Sequence, residues 1–274
     1  MSAAQAGSTT GGAVGDAWDD VVGQDAAVAL LRKAATGEPT HAWLFVGPHG
    51  SGKRAAARAF AGELLAAELD AAGDVSGAAR ARSMARVEHH PDLVVVERVG
   101  RAIAAKQAIG IVTRASRSPV EGSRKVLVLD EFHLLADDVA PRLLKTIEEP
   151  PAGTFYVVLA DEIPPNLVTI ASRCVRVDFG PVATGAIVTR LVAEGVDHTK
   201  AERAASFAGG DLGRARLLAT DERLAIRLAA WRDLPRRVDG TGATAAAVVD
   251  ELRAMIDDVA APLLERQAAE IDEL

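Results

Sequence analysis

Residues 47–54 read Gly47-Pro48-His49-Gly50-Ser51-Gly52-Lys53-Arg54 and contain the G-x-x-x-x-G-K spacing of a phosphate-binding loop. An apolar run over residues 42–46 precedes the loop, and a helical pattern over residues 53–69 follows it. The glycines of such a loop let successive backbone N–H groups face one phosphate, and the lysine reaches the terminal phosphates. The stretch therefore predicts a strand–loop–helix unit in which residues 47–54 bind a nucleotide.

The last residue of this loop departs from the usual motif. A serine or threonine normally follows the lysine and binds Mg²⁺ through its hydroxyl, whereas this chain has Arg54. A guanidinium has no acceptor atom and cannot ligate a cation. Arg54 could pair with a phosphate or lie across the helix surface, and the sequence leaves both open. We expect magnesium-dependent hydrolysis to be lost here and the binding of ATP to be weak or absent.

Four more apolar runs follow the loop, and helical patterns lie between the runs. Continuous apolar runs are typical of strands that are buried on both faces of a parallel sheet. Strands that alternate with helices indicate an α/β architecture. We therefore predict a P-loop α/β domain with a five-stranded parallel sheet. The further runs are residues 92–96, 125–129, 155–159 and 174–179, and the helical patterns are residues 24–35, 53–69, 103–116 and 137–148.

The run over residues 125–129 ends in two carboxylates, Asp130 and Glu131. An aspartate at the end of a strand that follows a P-loop can orient a metal ion and water, and a neighbouring glutamate can act as a base. We therefore include both residues in the candidate nucleotide site. The alternative is a buried strand that merely ends in two solvated acids.

The strand pattern stops after Pro181, and helical patterns continue to the C-terminus. We predict helices over residues 184–194, 198–207 and 211–231, with a break near residue 220. A Pro/Gly/Arg-rich stretch over residues 234–242 then separates these helices from a last helix that begins at about residue 244.

Composition excludes several classes of protein. The chain has 274 residues, of which 49% are hydrophobic and 25% charged, so it is globular. Its net charge of −7 argues against a nucleic-acid-binding surface over the whole molecule, although residues 80–124 carry nine basic side chains against four acidic ones. Cys174 is the only cysteine, which excludes an internal disulfide. No apolar run approaches the ~18 residues of a membrane helix, and residues 1–15 lack the basic start of a signal peptide, so we expect a cytoplasmic protein.

Further motifs occur in a specific order along the chain. Together they resemble the clamp-loader branch of the AAA+ family over about residues 18–220, and most nearly the δ′ type of subunit of bacterial DNA polymerase III. The motifs are WDDVVGQ at 18–24, the P-loop at 47–54, HPD at 90–92, VLDE at 128–131, LLKTIEEPP at 143–151 and SRC at 172–174.

The resemblance implies roles for two arginines. In this family the SRC motif carries an arginine finger, which one subunit offers to the ATP of its neighbour, so the role falls on Arg173. A second sensor arginine after a Gly-Gly turn corresponds to Arg214, which we add to the nucleotide-binding residues. Arg173 could instead be an ordinary surface arginine.

Two departures from the family matter. The polar sensor residue after the fourth strand falls at Ala160, beside Asp161, and an alanine cannot sense a phosphate. Many relatives bind zinc through four cysteines after the P-loop helix, but residues 66–90 contain none, and His89 and His90 alone cannot complete a four-ligand site. We therefore expect neither zinc nor any other metal site.

The resemblance implies a non-hydrolysing subunit of the DNA polymerase holoenzyme, a nucleotidyltransferase, with no ATPase activity of its own. Its partners would be γ/τ-type ATPase subunits and the δ subunit, and through the assembled loader the sliding clamp and primed DNA, but no membrane. The alternatives are a γ/τ-type ATPase, which would keep a hydroxyl after Lys53 and a polar sensor, and a P-loop kinase, which would not need SRC or EEPP. The implied domains are a disordered tail (1–17), a P-loop α/β domain (18–181), a helical lid (182–222) and a short or truncated helical collar segment (223–274).

Overall fold

The computed structural model of the chain describes residues 16–136 and 139–272. Of the predicted tail, residues 1–17, all but Asp16 and Ala17 lie outside the described residues. The chain divides into two compact units. One unit runs to Ala186 and includes Gly210–Leu212, and the other comprises Ile187–Gly209 and the chain from Gly213 onward.

The first unit is built on a five-stranded parallel sheet, as predicted, with the strand order β2-β3-β4-β1-β5. Because β1 lies between β4 and β5, the loop that follows β1 meets the carboxyl ends of both neighbours. This edge of a parallel sheet is where α/β proteins bind ligands. The strands are β1 (Ala42–Val46), β2 (Leu93–Val96), β3 (Lys125–Leu129), β4 (Thr154–Ala160) and β5 (Val175–Asp178).

Burial differs between the central and the edge strands. Every residue of β1, β3 and β4 is buried, as their continuous apolar runs predict. The same prediction is wrong for β5, in which Arg176 and Asp178 are exposed. The reason is its position at the sheet edge, where it pairs only with β1.

Helices cover both faces of the sheet in the first unit. Leu31 of α1 and Phe60 of α2 pack on one face, and Ile111 of α4 and Leu143 of α5 pack on the other. The predicted helix over 103–116 begins at Ala105. The one over 137–148 begins at Ala140, and residues 137–138 lie outside the described part. The helices are α1 (Asp25–Ala35), α2 (Lys53–Ala71), α3 (Val75–Arg86), α4 (Ala105–Ser116), α5 (Ala140–Glu148) and α6 (Val168–Ala171).

Helix α3 was not predicted from the sequence. It begins after Asp74, whose side chain accepts a hydrogen bond from the N–H of Gly77 (2.9 Å). Its buried residues are the alanines Ala78, Ala81 and Ala85. A face made of alanines gives little apolar periodicity, so the pattern of large hydrophobic residues did not indicate this helix.

In the described part of the chain, five helices follow β5. The predicted break near residue 220 is confirmed, since Asp221 caps the next helix by accepting a hydrogen bond from the N–H of Leu224 (3.0 Å). The predicted end of that helix before residue 234 is wrong, because it continues through Pro235 to Arg237. The helices are α7 (Thr184–Ala193), α8 (His198–Ala208), α9 (Leu212–Thr220), α10 (Glu222–Arg237) and α11 (Gly242–Asp272).

Among the described residues, none of the helices combines the length and the apolar character that crossing a membrane requires.

Candidate nucleotide site

The P-loop is held close to the end of β5. A Cβ atom at Gly47 would lie 2.1 Å from the carbonyl oxygen of Phe179, so only glycine fits there. The amide of Gln24 donates hydrogen bonds to the carbonyls of Ser51 (3.0 Å) and Gly180 (2.7 Å) and accepts one from the N–H of Gly180 (3.3 Å). Gln24 therefore ties the loop to the chain segment after β5.

Lys53 lies inside the loop that it terminates. Its ammonium donates hydrogen bonds to the carbonyls of Gly47 (2.6 Å) and Pro48 (2.9 Å) and to the carboxylate of Asp161 (2.8 Å). The side chain of Lys53 is only 9% exposed. Asp161 follows β4, where the family has its sensor, and Ala160 before it is buried. The structure thus brings the P-loop lysine together with Asp161.

Other loop residues take up different positions. Gly52 adopts a left-handed conformation (φ +93°) at the start of α2. Ser51 is fully buried, and its hydroxyl has no hydrogen-bond partner within the described residues. The imidazole of His49 is exposed and lies 2.9 Å from the carboxylate of Asp211. Ser51 is therefore a buried polar group in the loop that is not engaged by the protein.

Arg54 is held by three carboxylates. Its Nε and Nη2 donate to the two oxygens of Glu88 (2.8 and 2.7 Å), and its Nη1 lies 2.5 Å from Glu97 and 3.3 Å from Asp130. The hydrogen bonds to Glu88 raise the pKa of Arg54, and those from Arg54 lower the pKa of Glu88. The guanidinium therefore neither lies loosely across the helix nor is free to reach a phosphate, the two options that the sequence left open.

The second carboxylate after β3 is also held by an arginine. Glu131 has a left-handed backbone (φ 48°), and its side chain accepts hydrogen bonds from Nε (3.1 Å) and Nη2 (3.4 Å) of Arg98. The carboxylate of Asp130 accepts a hydrogen bond from the N–H of Glu131 (2.9 Å). Both acids at the end of β3 are therefore paired with arginines.

The HPD motif has a structural role in this chain. Asp92 is fully buried, and its carboxylate accepts hydrogen bonds from the N–H groups of Val120 (2.5 Å) and Glu121 (2.8 Å). The ring of His90 accepts a hydrogen bond from the N–H of Asp92 (3.1 Å), and burial lowers the pKa of His90. These contacts fix the turn before β3.

Arg173 lies between α6 and β5. Its Nη1 donates a hydrogen bond to the carbonyl of Thr169 (2.7 Å), and its Nε forms an ion pair with Glu148 at the end of α5. The side chain is 41% exposed. Burial raises the pKa of the neighbouring Cys174 thiol to about 12. The SRC motif thus joins the EEPP motif on the surface of the first unit.

Arg214 lies on α9 in the second unit, and its side chain is exposed. The other candidate residues, at positions 47–54, 130, 131 and 173, belong to the first unit.

The residues present suit a nucleotide but not its usual metal ion. Lys53, the glycines of the loop and the unengaged hydroxyl of Ser51 are groups that can hold phosphates. Mg²⁺ requires oxygen ligands in octahedral geometry. Arg54 offers no oxygen and already engages Asp130. Sequence analysis missed Glu88, Glu97 and Arg98, and an unexplained arginine at position 54 was the signal that carboxylate partners should be sought.

Comparisons with known proteins agree with this site. A family model described as DNA polymerase III, delta subunit, matches residues 23–183. The DNA polymerase III subunit tau of Bacillus subtilis is 30% identical over 177 residues, 64% of this chain and 31% of that protein. Subunit delta′ of the same organism is 29% identical over 185 residues, 67% of this chain and 55% of that protein. The RuvB Holliday junction branch migration motor of Thermotoga maritima superposes with a TM-score of 0.51 at 19% identity, over 80% of this chain and 67% of that one.

These similarities have limits. The matched region is 31% and 55% of the length of the two Bacillus relatives. The tau and delta′ subunits match about equally well, so identity does not choose between them. The likeness to RuvB shows the fold alone.

Proposed function

Since the chain belongs to the family of DNA polymerase III clamp-loader subunits, we propose that it is a non-hydrolysing, δ′-like subunit of the loader. In this role it acts as a stator in the cytoplasm and presents Arg173 to ATP on a neighbouring γ/τ-type subunit. Its other direct partner is the δ subunit, and the assembled complex acts on the sliding clamp and primed DNA.

The observation that carries this proposal is the pairing of Arg54 with Asp130. Hydrolysis at a P-loop needs an aspartate that is free to orient the metal ion and a base that activates water. Here Arg54 engages Asp130, and Arg98 engages the candidate base Glu131. The alanine at position 160 removes a polar contact to the phosphate as well. Three parts of the hydrolytic site are therefore altered together.

The surroundings of Arg173 support its role as an arginine finger. A guanidinium that acts in trans has to be reachable from another subunit, and the Arg173 side chain is 41% exposed. Its ion pair with Glu148 is partly exposed too, and such pairs contribute only about 0–1 kcal/mol. The arginine can therefore exchange the carboxylate for a phosphate at small cost. A phosphate accepts two parallel N–H bonds from the planar guanidinium.

The competing function is that of a γ/τ-type ATPase, which the similarity to subunit tau keeps in view. The two differ in what the chain does alone and in the complex. As a stator it does not hydrolyse ATP alone, but it raises DNA-stimulated turnover when added to γ/τ and δ. Measured turnover by the purified chain at about 10 s⁻¹, a median enzyme rate, would contradict the stator role. Failure to enter a complex with γ/τ and δ would contradict membership in the loader.

A further inference from the structure

We propose that the guanidinium of Arg54 takes the place of Mg²⁺ in this P-loop, so that the loop binds a nucleoside diphosphate without a divalent metal ion. This inference deepens the proposed function on its nucleotide side. It does not depend on Arg173, because a stator needs no nucleotide of its own.

The carboxylates around Arg54 come from three separate parts of the fold. Glu88 follows α3, Glu97 follows β2 and Asp130 follows β3. All three lie within 3.3 Å of the Arg54 guanidinium. Arg58, one turn further along α2, lies 3.6 Å from Glu88. Two fixed cations thus balance the acidic groups at the position where a P-loop protein ordinarily uses a divalent ion.

The pairing leaves no room for the metal ion. Mg²⁺ binds oxygen ligands at about 2.0–2.1 Å and in octahedral geometry, while the Arg54 nitrogen lies 3.3 Å from the Asp130 oxygen that would be a ligand. Moving the guanidinium aside would break its two parallel hydrogen bonds to Glu88. Such charge-assisted pairs are about twice as strong as neutral hydrogen bonds. Arg54 is also protonated at every working pH, since its pKa is raised.

The phosphate-binding side of the loop does not require a metal ion. Lys53 is buried with its ammonium at the loop, and the buried hydroxyl of Ser51 has no partner within the described part of the chain. Backbone N–H groups and one lysine hold phosphates through hydrogen bonds that need no cation. These groups belong to the P-loop itself, on the other side of Lys53 from the carboxylates.

Charge decides which nucleotide fits best. A triphosphate brings one phosphate more than a diphosphate, and Mg²⁺ ordinarily neutralises that charge. In this chain the Lys53 ammonium already pairs with Asp161, which repels a terminal phosphate. We therefore expect ADP to bind more tightly than ATP.

Isothermal titration calorimetry of the full chain with ADP tests the proposal, once with Mg²⁺ in excess and once with EDTA. We expect the two dissociation constants of the unmodified chain to agree within about threefold, or less than 1 kcal/mol. Arg54→Ser restores the usual hydroxyl, so its ADP affinity should rise at least about tenfold with Mg²⁺. Arg58→Ser, the matched control on the same helix, should stay insensitive to Mg²⁺. Lys53→Ala should abolish binding in both buffers while its melting temperature shows that it is folded.

Each contrary result is decisive. Affinity of the unmodified chain that rises about tenfold or more with Mg²⁺ would show that the metal ion enters despite Arg54 and would overturn the proposal. Absence of ADP binding in both buffers would overturn it too, and would leave the stator role standing. ATP turnover by the chain alone would instead contradict the proposed function.

Discussion

The ammonium of Lys53 lies 2.8 Å from the carboxylate of Asp161, the residue that follows Ala160 at the end of β4. The P-loop lysine thus has an acidic partner at the very position where its family places a phosphate sensor. An incoming phosphate has to compete with this carboxylate for the lysine. The affinity of the loop for nucleotides is therefore set partly by Asp161.

Asp161→Asn should strengthen ADP binding. The substitution removes the competing negative charge, while Lys53 keeps its hydrogen bonds to the carbonyls of Gly47 and Pro48. A partly exposed ion pair is worth up to about 1 kcal/mol, which corresponds to about fivefold in the dissociation constant. Calorimetric titration measures the change, with Glu162→Gln as the control at the next, exposed acid. Equal affinity of Asp161→Asn and the unmodified chain would show that the pair does not compete with phosphate.

Arg54→Ser should not create an efficient ATPase. The new hydroxyl can ligate Mg²⁺, but Ala160 still offers no polar contact and Glu131 is still bound by Arg98. We expect improved binding of Mg-nucleotide and a turnover far below the median enzyme rate of about 10 s⁻¹. Steady-state phosphate release from the purified variant checks this. Full activity from this single change would mean that position 54 alone had silenced the site.

Arg173→Ala should sharply lower the DNA-stimulated ATPase of the reconstituted loader. Known trans arginine fingers contribute on the order of 10³–10⁵ in rate, and the loss is smaller where one finger completes only one of several sites. Arg173→Lys should not restore the rate fully, because an ammonium lacks the planar fork of the guanidinium. Stability should fall by no more than about 1 kcal/mol, since only the exposed pair with Glu148 is lost.

The control for this experiment is Arg176→Ala. Arg176 is exposed in β5 and pairs with Asp178, also on the surface. It should leave turnover unchanged at matched assembly. Equal turnover by the loader with Arg173→Ala and with Arg176→Ala would contradict the finger assignment.

Two glycines in helices should respond in opposite ways to a side chain. Gly62→Leu should destabilise the chain by about 1–3 kcal/mol, the usual cost of overpacking, because a Cβ there already lies 3.2 Å from the Cα of Arg82 in α3. Gly110→Ala in α4 should stabilise it by about 0.5–1 kcal/mol through helix propensity, since no atom lies within 4 Å of the added Cβ. Urea denaturation of both variants measures the two signs. Equal effects would refute the close packing of α2 against α3.

The stability of the second unit should depend on Glu194 at acid pH. Hydrogen bonds from Arg216 and Arg190 lower the pKa of Glu194 from 4.5 to about 2. The folded state therefore binds fewer protons than the unfolded one, and the stabilisation is full above pH 4.5 and lost as pH falls towards 2. Because the group is largely exposed, we expect only about 1 kcal/mol.

Glu194→Gln tests this dependence by denaturation at several pH values. The difference in free energy of unfolding from the unmodified chain should be about 1 kcal/mol at neutral pH and should vanish near pH 2. Glu202→Gln, at a more exposed acid on α8, is the control and should show a smaller difference. A pH-independent difference for Glu194→Gln would show that its ion pairs do not form.

The sequence by itself determined the strands, the P-loop and most of the helices. Continuous apolar runs can be buried only between two covering layers, so the runs at 42–46, 125–129 and 155–159 had to become the central strands. The loop spacing at 47–54 fixed a strand before it and a helix after it. Helix α3 escaped, since its buried face consists of alanines and carries no large apolar residues.

Only the tertiary structure decided what Arg54 does. Its partners Glu88 and Asp130 are 34 and 76 residues away along the chain, and a local pattern holds no information about such pairs. They meet because parallel strands bring the ends of β2 and β3 to the same edge of the sheet as the P-loop. The sequence marks Arg54 as a departure from the motif. The fold turns that departure into an ion-pair cluster, because burying a guanidinium beside carboxylates requires that each charge find a partner.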